Sequence, residues 1–432
     1  MKKHVLAVLV GASLILTACG DGDENSSNFV SNPDNPPNDF QEPVVSTGAY
    51  AFKIDDPSDG EKAQMLAQLN GLFAQVSSEK MLMTYKMLGM NGKETLATAV
   101  VYKPAGAAPE GGWPIVAWAH GTTGVADQCA PSRQQISGNE FFIAKLLAAG
   151  YAVVAPDYEG LGEPSGKEPH PFLNVKSEAY SITDAVVAAN KYLNGSLIKA
   201  RWAVVGHSQG GQAALGAAQY ASRANLNYKG AIAVAPASNL GLILAGGEQK
   251  AAAEPDLGEK IRILASLDTF SSLITAGLKN PYPVLQYSQV FKSPTDQIAA
   301  KAETDCYDVL GKTLGGAMMK YAQANGNLDS YPRTQPNFMT AVPEINAFLT
   351  KDSQPLQVKL TTPIFIYQGS ADPTVPKQAT DFLVMSAEGR GTKISYETDK
   401  DLPDEDKWDH SSAYTENWDN IVDDVKALMP LQ

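Results

Sequence analysis

The sequence predicts an α/β protein in which helices flank a mostly parallel central sheet, and three observations lead to this class. Short apolar runs alternate with helical patterns of about ten to twenty residues, which is typical of βαβ units. These runs contain few polar positions, as strands buried on both faces do. At residues 201–211 a β-branched run breaks into a glycine-rich turn and continues as an alanine-rich helical pattern, which is the strand, turn and helix of one such unit.

The predicted core elements follow this alternation along most of the chain. Six strands are predicted before the pattern changes, at residues 82–90, 94–102, 115–119, 151–155, 202–205 and 231–235. The first two flank Asn91-Gly92, a strong hairpin signal. Helical patterns occupy residues 50–74, 141–149, 177–193 and 211–220. Later in the chain the alternation resumes as strand, helix, strand and helix, at residues 363–367, 377–386, 393–397 and 414–428.

Residues 237–355 interrupt the alternation with short helical patterns, Pro-Tyr-Pro breaks and no convincing strand. A structureless loop of this length is improbable inside a compact domain. The sequence therefore predicts a largely helical cap inserted after the sixth core strand. The two parts of the core are then residues 49–236 and 356–432.

The N-terminus is typical of a secretory leader, residues 1–18, with a basic start, an apolar stretch and small residues before Cys19. Leu16-Thr17-Ala18-Cys19 resembles the bacterial lipobox, in which cleavage leaves a lipid-carrying cysteine as the first residue. Residues 19–48 are rich in Asn, Asp, Ser and Pro, which predicts a disordered tether. We therefore predict an exported lipoprotein anchored to the bacterial outer membrane or cell surface. The alternative is an ordinary cleavage site and a secreted protein.

The charge balance narrows the possible partners. The chain has 34 basic and 47 acidic side chains, a net charge of −13, and loss of a leader containing Lys2 and Lys3 would make it −15. Nucleic acid and anionic membrane surfaces are therefore poor partners. The sequence has no P-loop and no His, Cys or carboxylate cluster with ligand spacing, so it predicts no cofactor and no metal. It carries no indication of oligomeric state.

The cysteine count predicts a disulfide. Once Cys19 is acylated, Cys129 and Cys306 remain as an even pair in an oxidising compartment. A bond between them would join the core to the cap. The alternative is two separate buried thiols, because the sequence alone does not place these cysteines near each other.

Ser208 is the candidate nucleophile. It is the centre of Gly206-His207-Ser208-Gln209-Gly210, a G-x-S-x-G pattern between a predicted strand and a predicted helix. In the α/β-hydrolase fold this turn exposes the serine hydroxyl and has no room for side chains at the two glycines. The alternative is a glycine-rich turn with no chemistry.

A serine hydroxyl needs a base, and the base needs a group that orients it. Five histidines are present. His4 is in the leader, His120 is in a glycine turn, His170 is flanked by prolines, and His207 is expected to point away from its neighbour. His410, in a polar loop after the last strand, is therefore the candidate base.

The orienting acid should lie between nucleophile and base in the chain, at the end of a strand. Asp372 fits best, because it follows an apolar strand within a turn bounded by Gly369 and Pro376. Its competitors belong to an acidic run, which is normally a solvated loop: Asp399, Asp401, Asp404, Glu405, Asp406 and Asp409.

The oxyanion of the tetrahedral intermediate needs hydrogen-bond donors. One is expected to be the backbone N–H of Gln209, directly after the nucleophile and at the start of a helix. The second is expected from the loop after the third core strand, as the N–H of Thr122 or else of Gly121.

Five segments of the chain resemble the secretory lipase family, a bacterial and fungal branch of the α/β-hydrolases. They are AHGTTGVADQCAPS at 119–132, APDYEGLGEPSGKEPHPFL at 155–173, GHSQGG at 206–211, ADPTVP at 371–376 and DHSS at 409–412. The resemblance covers residues 112–412. It implies hydrolysis of carboxylic esters or triacylglycerols under a helical lid, with Ser208, Asp372 and His410 as nucleophile, acid and base.

Two other classes of protein are alternatives to this prediction. A serine peptidase or acyl-peptide hydrolase would use the same triad, but the blade repeats that usually precede such a domain are absent from this sequence. A non-catalytic binding lipoprotein would not need candidates at all three triad positions. The predicted function is therefore a carboxylic ester hydrolase of lipase or esterase type, acting on acylglycerol-like small-molecule or lipid esters through an acyl-enzyme.

Overall fold

The computed structural model describes residues 35–162 and 168–431. The predicted leader, the lipidation site Cys19 and the first residues of the predicted tether lie outside the described residues.

A nine-stranded mixed sheet forms the centre of the described part of the chain, with the strand order β1-β2-β3-β5-β4-β6-β7-β8-β9. The strands are β1 (Val44–Ala49), β2 (Ser77–Leu88), β3 (Glu94–Pro104), β4 (Ile115–Ala119), β5 (Ala152–Pro156), β6 (Arg201–His207), β7 (Asn227–Val234), β8 (Ile364–Gln368) and β9 (Ile394–Thr398). The first three strands pair antiparallel, and β3 also pairs antiparallel with β5. All pairs from β5 through β4 to β9 are parallel. The α/β class with a mostly parallel sheet is confirmed.

Helices lie on both faces of this sheet. Those of the core are α1 (Gly60–Val76), α2 (Asn139–Ala148), α3 (Val175–Asn194) and α4 (Gln209–Gln219). The segment between β7 and β8 contains α5 (Leu240–Ala253), α6 (Leu257–Leu278), α7 (Thr295–Ala299), α8 (Tyr307–Asn325), α9 (Phe338–Ala341) and α10 (Pro343–Ala347). The core ends with α11 (Lys377–Gly389), α12 (Ser412–Thr415) and α13 (Trp418–Leu428).

The pleat of the strands explains why both faces are covered. All five residues of β4 are buried. Ala117 belongs to the apolar layer that includes α3, α4 and α11, whereas Trp118 belongs to the layer that includes α1, α2 and α13. Since successive side chains of a strand point to opposite faces, a continuous apolar run is what a two-sided burial requires.

The end of the predicted tether is part of the fold, which corrects the sequence prediction. Residues 44–49 form β1 and pair with β2. Upstream of it, Arg223 donates to the carbonyl oxygen of Pro36 at 2.6 Å and to Asp184 Oδ2 at 2.8 Å. Asn38 Nδ2 donates to Asp184 Oδ1 at 2.8 Å. A buried ion pair therefore holds this polar segment against the core. Because β1 adds a strand at the start of the sheet, the helical segment predicted after the sixth strand follows the seventh strand instead.

Two helix boundaries also differ from the sequence prediction. The helix expected at 50–74 begins at Gly60, because the Asp59 carboxylate accepts hydrogen bonds from the first backbone N–H groups of α1. The helix expected at 414–428 is divided at Asn417, which lies between α12 and α13.

The segment between β7 and β8 has an apolar core of its own, in which α6 lies next to α5 and α8. Within it, the guanidinium of Arg333 binds Asp268 at 2.6 Å and Glu248 at 2.9 Å. Asp268 is fully buried. The Arg333 guanidinium therefore offsets the free-energy cost of burying its carboxylate. Within the described ranges, α6 is the one helix long and apolar enough to cross a bilayer, and most of it is buried inside the protein.

The predicted disulfide between Cys129 and Cys306 is confirmed, with 5.4 Å between the two Cα atoms. Cys129 ends a short 3₁₀ turn after β4, and Cys306 directly precedes α8. Beside the disulfide, the backbone N–H of Tyr307 donates to the carbonyl oxygen of Thr123 at 2.9 Å. The start of α8 is thus joined to the loop after β4 by one covalent and one hydrogen bond.

Asp157 is a buried carboxyl group at the end of β5. It accepts hydrogen bonds from Thr98 Oγ1 at 2.6 Å and from the backbone N–H of Ser132 at 2.8 Å. It is 1% exposed. Burial raises the pKa of Asp157 to about 6, although the bonds from Ser132 and Thr98 oppose the shift.

Replacing both Cys129 and Cys306 by serine should lower the free energy of unfolding by up to about 5 kcal/mol. The reason is that the bond spans 177 residues, so its loss frees a long loop in the unfolded chain. Denaturant midpoints measure the effect, and reductant should bring the native protein to the midpoint of the double variant without changing the variant. Equal stability of the two proteins would contradict this expectation.

Asp157→Asn should change how stability depends on pH. The folded-state pKa near 6 lies above the unfolded value of about 3.9. The folded protein therefore holds a proton that the unfolded chain releases, and stability falls by up to about 3 kcal/mol as pH rises from about 4 to 6. The variant lacks this contribution. Urea unfolding at several pH values should therefore give a difference in the free energy of unfolding between the two proteins that varies across this pH window. A constant difference would be incompatible with the raised pKa.

Candidate active site

The turn between β6 and α4 holds Ser208 in a conformation that side-chain-bearing residues rarely adopt, with φ 61° and ψ −120°. A Cβ atom on Gly206 would lie 2.0 Å from the carbonyl oxygen of Gly210, and one on Gly210 would lie 1.9 Å from that of Ala119. Both glycines are therefore required for the chain to turn this sharply. The turn directs the Ser208 hydroxyl away from the sheet and towards the base.

The structure brings the three predicted triad residues together. His410 Nε2 lies 2.9 Å from Ser208 Oγ, and His410 Nδ1 lies 2.7 Å from Asp372 Oδ2. Asp372 is in the turn after β8, and His410 is in the loop between β9 and α12. Because these strands are parallel to β6, their carboxyl ends lie at one edge of the sheet.

The Asp372 carboxylate is held by donors besides His410. Its Oδ1 accepts the backbone N–H groups of Thr374 at 2.8 Å and Val375 at 2.9 Å. Gln368 Nε2, at the end of β8, lies 3.3 Å from Oδ2. Asp372 is 5% exposed, and these donors hold its carboxylate where Oδ2 accepts a hydrogen bond from His410 Nδ1–H.

The competing acidic residues have other contacts. Asp399 accepts the backbone N–H groups of Ser370 at 2.9 Å and Trp408 at 2.8 Å, and so ties together the two loops that carry the acid and the base. Burial would raise the pKa of Asp399, but these hydrogen bonds outweigh it and lower the pKa. Asp409 accepts the N–H groups of the two residues that follow His410. The four remaining acids are exposed: Asp401, Asp404, Glu405 and Asp406.

His207 contacts the backbone of His410, a contact that the sequence did not predict. Its Nε2–H donates to the backbone carbonyl oxygen of His410 at 2.8 Å, and its ring stacks on Tyr414 with 5.2 Å between centroids. Burial and the proximity of His410 lower the pKa of His207 to about 3. It therefore remains neutral and keeps the backbone of His410 in position.

The candidate oxyanion donors lie next to the nucleophile, because Thr122, Ser208 and Gln209 line the same cavity. Within the described ranges, no group accepts a hydrogen bond from the backbone N–H of Gln209 or of Thr122. A Cβ on Gly121 would be 3.7 Å from the Cβ of Ser208, so the loop after β4 runs alongside the nucleophile. Two N–H groups are thus free to bind an oxygen atom next to Ser208.

A buried polar network beneath the turn was missed by sequence reasoning. Gln209 Nε2 donates to Glu178 Oε1 at 2.7 Å and to His170 Nε2 at 2.9 Å. His170 Nδ1–H donates to the carbonyl oxygen of Glu159 at 2.8 Å. Burial raises the pKa of Glu178. The side chain of Gln209 is therefore fixed, and with it the backbone N–H at the start of α4. In the sequence, the polar residues on either side of Ser208 were the signal that could have indicated this network.

Two cavities meet at the nucleophile, and both are lined by Ser208 and Thr122. The first, of about 360 Å³, also contains His410 and many polar side chains. The second, of about 280 Å³, also contains Gln209 and extends between α5 and α6. Its apolar lining includes Leu240, Ile243, Leu244, Ile263, Leu267 and Ile274. Phe270 lies between the two cavities and lines both.

Comparison with known proteins identifies the family. A model of the secretory lipase family matches residues 129–406. No curated protein sequence matches this chain.

Several solved structures share the fold. A hydrolase from Legionella pneumophila is 18% identical over 90% of this chain and 99% of its own, with a TM-score of 0.66. The rice cell wall degrading esterase LipA from Xanthomonas oryzae is 19% identical over 90% and 98%, with a TM-score of 0.64. Candida antarctica lipase A in its closed state is 16% identical over 82% and 76%, with a TM-score of 0.55. At these identities the likeness concerns the fold alone.

The family model spans well over half of the chain, and it includes the nucleophile turn. The disulfide agrees with a protein that leaves the reducing cytoplasm. The chain therefore belongs to the secretory lipase family and is an exported carboxylic ester hydrolase.

Proposed function

We propose that this hydrolase cleaves esters with Ser208 as nucleophile, His410 as general base and acid, and Asp372 as the group that orients the histidine. The observation that carries the proposal is the chain of hydrogen bonds from Ser208 Oγ to His410 Nε2 at 2.9 Å and from His410 Nδ1 to Asp372 at 2.7 Å. This is the spacing that proton transfer from a serine hydroxyl requires.

The steps follow from these contacts. Ser208 Oγ attacks the ester carbonyl carbon while its proton moves to His410 Nε2, and the carbonyl oxygen becomes an oxyanion held by the N–H groups of Gln209 and Thr122. The intermediate collapses to an acyl-serine, and His410 gives its proton to the departing alcohol. A water molecule, deprotonated by His410, then releases the acid and restores Ser208.

The two cavities take different parts of the ester in this proposal. The departing alcohol must receive its proton from His410, and His410 lines the first cavity. The acyl chain then enters the second cavity, whose lining between α5 and α6 is largely apolar. Burial of an alkyl chain there would contribute about 0.8 kcal/mol for each methylene removed from water. An acylglycerol or another fatty ester is therefore the proposed substrate type.

The domain organisation and the anchor also belong to this proposal. We infer a signal peptide at 1–18, a lipidated Cys19, a core that includes residues 35–236 and 356–432, and a cap at 237–355. The chain from Cys19 to Asn35 would span at most about 58 Å if it were fully extended. Anchoring would thus keep the enzyme close to the membrane surface while the buried Arg223 and Asp184 pair holds the start of the core.

Ester hydrolysis is favoured over the amide hydrolysis of a serine peptidase by the family of the chain. Rates on p-nitrophenyl esters of graded chain length, measured beside a peptide amide with the same acyl group, separate the two. Faster cleavage of the amide would overturn the ester assignment.

Asp372→Asn should lower kcat by about 10⁴, because the histidine loses the partner that holds its tautomer. Asp409→Asn is the matched control, since that carboxylate accepts the backbone N–H groups of Ser411 and Ser412 and does not orient the His410 ring. Ser208→Ala should lose about 10⁶ in kcat and remain folded. Kinetics on a p-nitrophenyl ester and circular dichroism measure both properties. A larger loss in Asp409→Asn than in Asp372→Asn would assign the acid to the loop instead.

Gly246→Leu should shorten the range of accepted acyl chains. Gly246 lines the apolar cavity, and a Cβ there meets no atom within 4 Å. It lies six residues beyond Leu240, or about 9 Å along the helix, so acetyl and butyryl esters should be unaffected. Long acyl esters should lose about 50-fold in kcat/KM, corresponding to about three methylenes no longer buried.

The control for this variant is Gly241→Leu, on the same helix, where a Cβ also meets nothing within 4 Å and which is not part of the cavity lining. It should leave the chain-length profile unchanged. An unchanged profile in Gly246→Leu itself would exclude this cavity as the acyl site.

A further inference from the structure

The cavity on the His410 side of Ser208 contains phenol groups with unused hydrogen-bonding capacity. Tyr50 and Tyr102 both line it, with their rings edge to face and 6.4 Å between centroids. Tyr102 is 3% exposed, yet among the described residues neither phenol hydroxyl has a hydrogen-bond partner. Elsewhere in the core, Tyr85 and Tyr158 donate to backbone carbonyl oxygens at 2.8 Å and 3.0 Å, whereas the hydroxyl of Tyr228 is buried without a partner among the described residues.

A third hydroxyl in this cavity is also unpaired. Thr123 lines the cavity directly after the proposed oxyanion donor Thr122, and its Oγ1 is buried without a partner among the described residues. A buried polar group without a partner costs about 1–3 kcal/mol. A ligand hydroxyl at this position would recover that cost, whereas an alkyl group would not.

The charged residues of the cavity are acidic. Glu140 and Asp157 line it, and no lysine or arginine does so among the described residues. Burial raises the pKa of both carboxyl groups, and the nearby Glu140 and Asp157 add to burial in raising the pKa of Tyr50. The phenol of Tyr50 therefore stays protonated and can donate, while a phosphate-bearing alcohol would meet two carboxyl groups and, among the described residues, no lysine or arginine.

We propose that this cavity is a binding site for an uncharged polyhydroxylated alcohol, a glycerol or sugar unit, which is the leaving group of the ester. The inference rests on the proposed function, because the alcohol oxygen must receive the proton of His410, which lines the same cavity. Tyr50, Tyr102 and Thr123 bind its hydroxyl groups, with further donors and acceptors from Gln134, Gln135 and Asn139.

This site discriminates among lipids with the same acyl chain. The leaving group of a triacylglycerol carries two further acyl chains, which would lie against the hydroxyl and carboxyl groups and leave them unpaired. Unpaired buried polar groups in a site built for hydroxyls lower the rate for analogues that lack them. A monoacyl ester of glycerol or of a sugar should therefore be a better substrate than a triacylglycerol or a simple alkyl ester.

The test compares decanoate esters of glycerol, glucose and butanol, together with tridecanoylglycerol, on the full-length enzyme. The polyol esters should have the higher kcat/KM, and Tyr102→Phe or Tyr50→Phe should lower it about 3- to 10-fold for polyol esters, which corresponds to one neutral hydrogen bond. Both variants should lower the rate on the butyl ester by less than the rate on the polyol esters. Tyr228→Phe is the matched control, because Tyr228 has a buried unpaired hydroxyl outside this cavity.

The outcomes are distinct. A preference for the glycerol ester or for the glucose ester supports the site and identifies which polyol it fits. Equal rates on polyol and butyl esters, equal losses in Tyr102→Phe on both classes, or preference for tridecanoylglycerol would overturn it. The rate of the native enzyme on p-nitrophenyl decanoate tests the catalytic residues separately. A native enzyme that is inactive on this ester would refute the proposed function and not the alcohol site alone.

A binding measurement keeps the inference testable without turnover. Saturation-transfer NMR on Ser208→Ala should detect glycerol or methyl glucoside, and the signal should weaken when Tyr102→Phe is added and persist when Tyr228→Phe is added. Absence of binding by both polyols would overturn the inference even if the ester hydrolysis is confirmed.

Discussion

The backbone of Ser208 is the constraint on which the rest of the active site depends. A side-chain-bearing residue at φ 61° stores strain of about 1–3 kcal/mol, and it persists only if neighbouring chain holds it. Ser208 N–H donates to the carbonyl oxygen of Val234 at 2.9 Å, and Ser208 O accepts from Ala237 at 3.2 Å. The end of β7 thus holds the turn in place, and the chain continues from there into the helical segment that precedes β8.

The helical segment between β7 and β8 is joined at two places to the sheet edge that carries Ser208. One junction is at Ala237, beside the nucleophile turn, and the other is where Tyr307 and the disulfide meet the loop that carries Thr122 and Thr123. Phe270 lies between the two cavities and contacts the ring of Tyr307 at 5.5 Å between centroids. The division of the candidate site into a polar and an apolar side therefore depends on this helical segment as much as on the sheet.

Sequence reasoning succeeded where the signal was local. Some features have a sequence pattern contained in one short stretch of chain. They are the strands at 115–119 and 202–205, the hairpin at Asn91-Gly92 and the glycines around Ser208. Sequence reasoning failed for β1, and it did not predict the contact that His207 makes with His410. Residues 35–48 have the composition of a disordered segment, but the buried pair of Arg223 and Asp184 binds them. The hydrogen bond of His207 was not predicted, because its partner, the carbonyl oxygen of His410, is 203 positions away in the sequence.

The sequence by itself determined the class of the sheet, the nucleophile turn, the chain order of the candidate triad and the pair of cysteines, because periodicity, glycine positions and motif spacing are properties of the unfolded chain. Only the tertiary structure decided which acid faces His410, which buried groups hold Gln209 and Asp372, and how two cavities divide the space around Ser208. These depend on distances between residues far apart in sequence. Such distances are set by the packing of helices on the sheet, and no local pattern records them.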